Sequence, residues 1–354
     1  KWHLGTLHAR SATSPGSQGF DTWLSSPNFY ENDPLFSRQG TVVETSGESS
    51  AVTVDAALAF IESAVEKRQP FAAVVWFGNP HVPHKARDEL KQLYPGEPAN
   101  MQNYWGEITG IDRAVAKLRQ RLRTLGIAEN TLLLFTSDNG AMKPGSTGGL
   151  RGTKGTNYEG GLRVPAVLEW PRRCKQPLAI NTPCCTVDIL PTVLAAAGVS
   201  YPQPARPLDG QNLGPIINGQ TSVRSSPLGF WTYPMRGQGM KSSDLLEELR
   251  KQIESGKAQE LPPISPAEEK AFAAKYPSDS FLGHAAWIDG RFKLHRLPRA
   301  NGGDDYALYD LAADAQETTD LAATESERVT AMAKQLEAWQ RSVLNSLNGG
   351  DYHK

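Results

Sequence analysis

Apolar positions along this chain fall into two periods, and their succession predicts the architecture. In residues 54–68 they recur at Val54, Leu58, Ile61 and Val65, the spacing of one helix face, and Gln69-Pro70 closes the helix. Residues 71–77, FAAVVWF, follow as an unbroken apolar run. A run that short, without polar alternation, predicts a strand covered on both faces. It ends in turn chemistry at Gly78-Asn79-Pro80. The pattern then repeats. Residues 104–125 carry Ile108, Ile111, Val115, Leu118, Leu122 and Leu125 on one stripe, and Gly126 supplies a helix stop. Residues 132–135 form a second apolar run, broken at Thr136-Ser137-Asp138-Asn139-Gly140. Helices and strands in this order predict right-handed crossovers and a mostly parallel or mixed central sheet flanked by helices, an α/β fold. A further short strand is expected at 166–170.

Past residue 200 the pattern changes. Residues 233–276 are polar, with Leu261-Pro262-Pro263 and one short helical stretch near 244–254. In residues 284–294, HAAWIDGRFKL, Asp289-Gly290 separates two β-prone runs, which predicts a hairpin. Another strand is expected at 306–311 and an amphipathic helix at 329–347. The expected organisation is an α/β domain over 1–232, a polar insertion over 233–280 and a small antiparallel subdomain over 281–354. Asp188 and Asp209 read as caps or turns.

Candidate chemistry sits where the apolar runs end. Ligands of open α/β sheets bind beyond the carboxyl ends of strands. Asp138 and Asn139 are there, two oxygen donors suited to a hard cation; the same triplet is also ordinary turn sequence. The glycine-rich stretch that follows, 145–161, carries Arg151, Lys154 and Glu159, with Arg163 just beyond. Glycine lets backbone approach a ligand closely, and cations there suit an oxyanion. A plain surface loop is the alternative. His81 and His84 follow the 71–77 run, and imidazole can exchange a proton near neutrality. His81 is the candidate, with a hydrogen-bonded structural histidine as the alternative; His84 is placed at the rim or in solvent.

Composition trims the possibilities. Formal net charge is −1, which argues against a nucleic-acid binder. The basic run Lys117, Arg119, Arg121 and Arg123 is the solvated face of a helix. No apolar run approaches a membrane span. Cys174, Cys184 and Cys185 lack a CxxC zinc spacing, and read either as a Cys174–Cys184 disulfide or as free thiols.

The segments TSDNG and LRGTKGTNYEGGLRVP together resemble the type I, formylglycine-dependent sulfatases of the alkaline-phosphatase-like superfamily. Lys1-Trp2-His3-Leu4-Gly5, Gly19-Phe20-Asp21-Thr22-Trp23, the His81 segment Pro-His-x-Pro, and DGRFKL with YALYDLAADAQETTDLA are also similar to family sequence. The resemblance covers most of the chain apart from the polar insertion.

It implies a sulfuric ester hydrolase acting on an aryl sulfate or a sulfated carbohydrate. Lys1 and Lys154 would hold sulfate oxygens. His81 would bind substrate and assist the leaving group. His3 would act on the nucleophile's hydroxyls. Asp138 and Asn139 would be two ligands of a Ca²⁺ ion. The family's nucleophile is a formylglycine made from the first residue of Cys/Ser-x-Pro-x-Arg. None of the three cysteines begins such a segment; Cys174 is followed by Lys175-Gln176-Pro177. That segment and two further metal aspartates are expected before Lys1, in a part of the protein outside this sequence. Export to a periplasmic, extracellular or lysosomal space is likewise implied. The alternatives are a phosphate or phosphonate ester hydrolase of the same superfamily and a non-catalytic binder of sulfated glycans.

Overall fold

A computed structural model describes residues 1–202, 206–233, 241–256 and 276–351. Two compact units make it up. The first is Lys1–Thr131 with the described part of Gly237–Pro266; the second is Leu132–Arg236 with the described part of Ala267–Lys354.

In the first unit, β1 (Leu24–Ser25), β2 (Leu35–Arg38) and β3 (Thr41–Glu44) form an antiparallel sheet in that order. The β2–β3 turn places both Gln39 and Gly40 at positive φ, the geometry that matches strand twist. Helix Ser242–Glu254 packs on β2 and β3, and its Leu246 is buried with Trp2, Leu7 and Trp23. Helices Ser49–Glu66 and Ala99–Thr124 pack against each other, with Val54, Leu58 and Ile61 buried on the first and Ile111, Leu118 and Leu122 on the second, while Ile108 of the predicted stripe is exposed. The Glu48 carboxylate starts the first of them by accepting from the amides of Ser50 and Ala51.

Residues 71–77 are not a strand in this structure. Val74 and Trp76 are exposed, and no ladder pairs the segment. Apolar sequence sets a preference for burial, but a strand needs a partner's amides and carbonyls.

In the second unit, β4 (Leu133–Thr136) pairs with β5 (Ala166–Glu169), Leu133 opposite Glu169 and Thr136 opposite Ala166. A second sheet runs β6 (Leu228–Trp231), β7 (Ala285–Asp289), β8 (Phe292–Pro298), β9 (Asp304–Asp310) in that order. Asp289 pairs with Phe292 around Gly290 at φ 57°, the predicted hairpin. Helix Ser326–Leu347 covers this sheet, burying Met332 and Leu336 against Ala285, Trp287, Leu294 and Leu308. Gly229 in β6 is required by that packing, because an added Cβ would lie 2.5 Å from the Trp339 ring.

The parallel pairing expected from the strand–helix–strand succession is not seen: every strand pair among the described residues is antiparallel. The packing also divides at Leu132, not near residue 233. β6 lies before that expected boundary yet is an edge strand of the C-terminal sheet, and helix Ser242–Glu254 belongs to the first unit. Asp188 is structural, as expected: it is buried, accepts from the amides of Cys185 and Gln211, and takes both Arg224 nitrogens at 2.7 and 2.8 Å. The three cysteines are free thiols.

Candidate active site

The predicted site residues form two clusters, one in each unit. In the first, Trp2 is the anchor. Its indole is buried, donates to the Thr13 carbonyl at 2.8 Å, and stacks on Trp76 with ring centres 6.0 Å apart. The flanking Lys1 and His3 are half-buried and exposed, respectively. The amides of Trp2 and His3 donate to Ser26 and Pro27. His3 has φ 50°, a left-handed conformation that is costly for most side chains and more frequent for His.

His81 lies four residues past the Trp76–Phe77 end of the same segment and is half-buried. Its ring stacks on Phe29 at 4.8 Å, and Phe29 follows the Ser26–Pro27 stretch that holds Trp2 and His3. His81 Nδ1 is 2.7 Å from the Val82 carbonyl. A carbonyl can only accept, so Nδ1 carries the proton and Nε2 is left to exchange one.

Two carboxylates back this loop. Glu48 accepts from Asn79 Nδ2 at 2.9 Å. Buried Glu107 accepts from the Lys85 amide at 2.7 Å and pairs with His84 Nδ1 at 2.9 Å. Burial pushes the Glu107 carboxyl up from its usual range, partly offset by those two bonds. His84 therefore faces inward onto Glu107, not the rim as expected, because a buried carboxylate needs its donors.

The second cluster holds Asp138, Asn139 and Lys154. The turn after β4 is stitched to the glycine-rich loop by backbone: Gly140 N–H donates to Gly161 at 2.9 Å, and Lys154 N–H donates to Ala141 at 3.2 Å. A Cβ on Gly140 would sit 1.9 Å from the Gly160 oxygen, so this approach admits only glycine. On Gly160 it would meet the carbonyls of Gly152, Arg151 and Leu150 within 2.8 Å. The glycines thus bring the Asp138-Asn139 turn and Lys154 to one place. Asp138 is exposed, Asn139 and Lys154 half-buried. Among the described residues no side-chain partner occupies any of the three.

Glu48 and Glu107 were not anticipated from sequence. Glutamate is not among the residues that usually mark a helix start, although Glu48 caps Ser49–Glu66 here. Glu107 carried no signal either, since its role depends on tertiary neighbours.

Residues 1–199 match the sulfatase family model. The chain is 30% identical over 240 residues to the ulvan-active sulfatase of Formosa agariphila, covering 61% of this chain and 46% of that protein. It is 30% identical over 257 residues to the N-acetylgalactosamine-6-sulfatase of Mus musculus, covering 63% and 46%. Among solved structures, Ps i-CgsB in complex with k-i-k-neocarrahexaose superposes with a TM-score of 0.75 at 21% identity, over 96% of this chain and 70% of that one. The chain belongs to the sulfatase family, and its fold is the alkaline-phosphatase-like α/β fold with a small antiparallel C-terminal sheet. It spans less than half the length of these curated relatives.

Proposed function

We propose that the protein carrying this chain hydrolyses sulfate esters of a carbohydrate, using a formylglycine nucleophile and a bound Ca²⁺. The observation that carries the reading is the stitching of the Asp138-Asn139 turn to the Lys154 loop, in a chain of the sulfatase family. An anion site needs a cation beside hard oxygen donors, and these side chains have no other partner among the described residues.

The donor set fits a calcium site in part. Asp138 and Asn139 offer the oxygen ligands Ca²⁺ takes, but the ion wants about six to eight. Among the described residues no group of three or more His, Cys, Asp or Glu is placed for a metal. The reading therefore assigns these two residues as two ligands and leaves the others, and the nucleophile, to parts of the protein beyond this sequence. When bound, the cation would neutralise charge developing on sulfate oxygens.

The chain's own residues do the rest. Lys154 and Lys1 hold sulfate oxygens. His3 acts on the nucleophile's hydroxyls. As the imidazolium, His81 delivers the Nε2 proton to the departing alkoxide while Nδ1–H stays on Val82. An exported enzyme is the setting this implies; among the described residues no helix is long and apolar enough to cross a membrane.

The test compares matched aryl sulfate and aryl phosphate substrates with the full-length protein, before and after Lys154→Ala. Sulfate turnover lost by about 10²–10³-fold in the variant is expected. Preference for the phosphate ester would move the protein to another branch of the superfamily. Tight binding of sulfated sugar without turnover would make it a binder.

A further inference from the structure

The Lys154 loop is braced from behind by side chains of the C-terminal sheet that the catalytic reading does not use. Glu317, between β9 and helix Ser326–Leu347, is fully buried with φ 55°. Its carboxylate accepts from the Glu159 amide at 2.6 Å, from Lys293 Nζ at 3.1 Å and from His295 Nε2 at 2.6 Å. Lys293, also fully buried, reaches the Glu159 carboxylate at 2.9 Å. One ammonium thus holds a carboxylate on the loop and one behind it.

The other end of the loop is tied to the same residue. Arg151 donates from one nitrogen to the Glu317 carbonyl at 3.0 Å and the Tyr309 hydroxyl at 3.1 Å, and lies 4.1 Å over the Tyr158 ring. Between these ends, Asn157 donates to the His284 carbonyl at 2.7 Å. Arg151, Asn157 and Glu159 are therefore pinned, and Lys154 rides on the arch between the first two.

The histidines complete the brace. His295 must donate Nε2–H to Glu317, so its Nδ1 accepts from His284 Nε2, 2.7 Å away. Burial keeps the His295 imidazole neutral, which this relay requires. Burial disfavours the charged Glu317 carboxylate, but the His295 bond, Lys293 and the Glu159 amide outweigh that and hold its pKa below the usual carboxylate range.

We propose that Glu317 is a positioning residue: through Glu159, Lys293 and Arg151 it fixes the loop so that Lys154 presents its ammonium to the substrate's oxyanion. This rests on Lys154 being the sulfate-binding lysine. A buried network this costly to desolvate is not needed for the sheet, whose apolar core with Leu294, Leu308 and Leu336 lies apart from it.

The experiment uses the full-length protein with Glu317→Gln, Arg151→Lys, Lys154→Ala and the two doubles carrying Lys154→Ala. Gln keeps the shape but turns one acceptor into a donor against three donors. Lys keeps the charge of Arg151 but not its fork. Aryl sulfate kinetics and backbone amide exchange are both read.

The expected result is faster exchange, by about tenfold or more, confined to residues 151–162, with β8 and β9 unchanged. A loss of kcat/KM of about 10–100-fold should accompany it. Lys154→Ala should then cost far less in either background than in the wild type, since the lysine is already misplaced. Equal losses in both backgrounds, or exchange rising evenly through the sheet, would make Glu317 a fold residue and overturn the proposal. If Glu317→Gln does not fold, Arg151→Lys decides alone by the same criteria. If Lys154→Ala leaves turnover intact, the functional reading fails instead, while the exchange pattern still reports whether the brace exists.

Discussion

Two sheets in the second unit each carry large apolar side chains, and these end up in opposite states. In the C-terminal sheet Leu294 and Leu308 are fully buried under helix Ser326–Leu347. In the β4–β5 pair Phe135 is 39% exposed and Val167 62%. The difference lies in cover, not in strand propensity. A C-terminal strand finds a helix from its own unit across its face, whereas β4 and β5 turn apolar side chains outward. The helix-covered sheet braces the glycine-rich loop, and the bare pair carries the Asp138-Asn139 turn.

That contrast can be broken first where the core is tightest. Leu308→Ala should destabilise the second unit by about 2–5 kcal/mol, because the cavity is enclosed on all sides. Urea unfolding followed by Trp287 and Trp339 fluorescence reads it, and a cost under about 1 kcal/mol would deny that the C-terminal sheet has a packed core. Gly229→Ala should cost about 1–3 kcal/mol, since its Cβ would meet the Trp339 ring at 2.5 Å. The same unfolding experiment checks it, with the Trp339→Leu background relieving most of the loss.

A pH titration sharpens the comparison next. Burial, reinforced by His295 and Lys293, lowers the His284 pKa to about 4, and His295 is lowered as well. A depressed histidine binds its proton less readily folded than unfolded. Stability should therefore be constant above about pH 6.5, the unfolded value, and fall as pH drops from there toward 4. Glu317, also depressed, adds a further fall as pH passes below the ordinary carboxylate range. Unfolding midpoints between pH 7.5 and 4 in steps should show this slope, and His284→Asn should flatten it; a midpoint insensitive to pH over that window contradicts the buried relay. The smallest effect is expected on the bare pair, where Val167→Thr should shift stability by no more than about 0.5 kcal/mol. A larger loss would mean that Val167 is covered in solution.

Much of this was readable in the pattern. The stripe at Val54, Leu58, Ile61 and Val65 became Ser49–Glu66, the stripe from Ile108 to Leu125 became Ala99–Thr124 with Leu125 just past its end, and the Asp289-Gly290 hairpin is present. The strand expected at 71–77 was not found, because burial on both faces is a property of neighbours that the segment cannot specify. For the site, glycine spacing and the cation on the loop were legible, and the structure gives a reason for the glycines at Gly140 and Gly160. The brace was not. Nothing in the pattern singles out Lys293, His295 and Glu317, and only the fold reveals that both faces of β8 are buried. His84 was misplaced for the same reason: Glu107, its partner, is a carboxylate on the buried face of helix Ala99–Thr124, one turn before Ile111, and that burial depends on tertiary neighbours.

The bond from the Glu159 amide to Glu317 joins positions 158 residues apart. A ribosome adding about 5–20 residues per second needs roughly 8–30 s to travel between them. Throughout that interval the glycine loop has been synthesised but its brace has not. The shape of the Lys154 loop therefore waits on the synthesis of Glu317, and a chain cut short before β8 would display the loop's sequence without its shape.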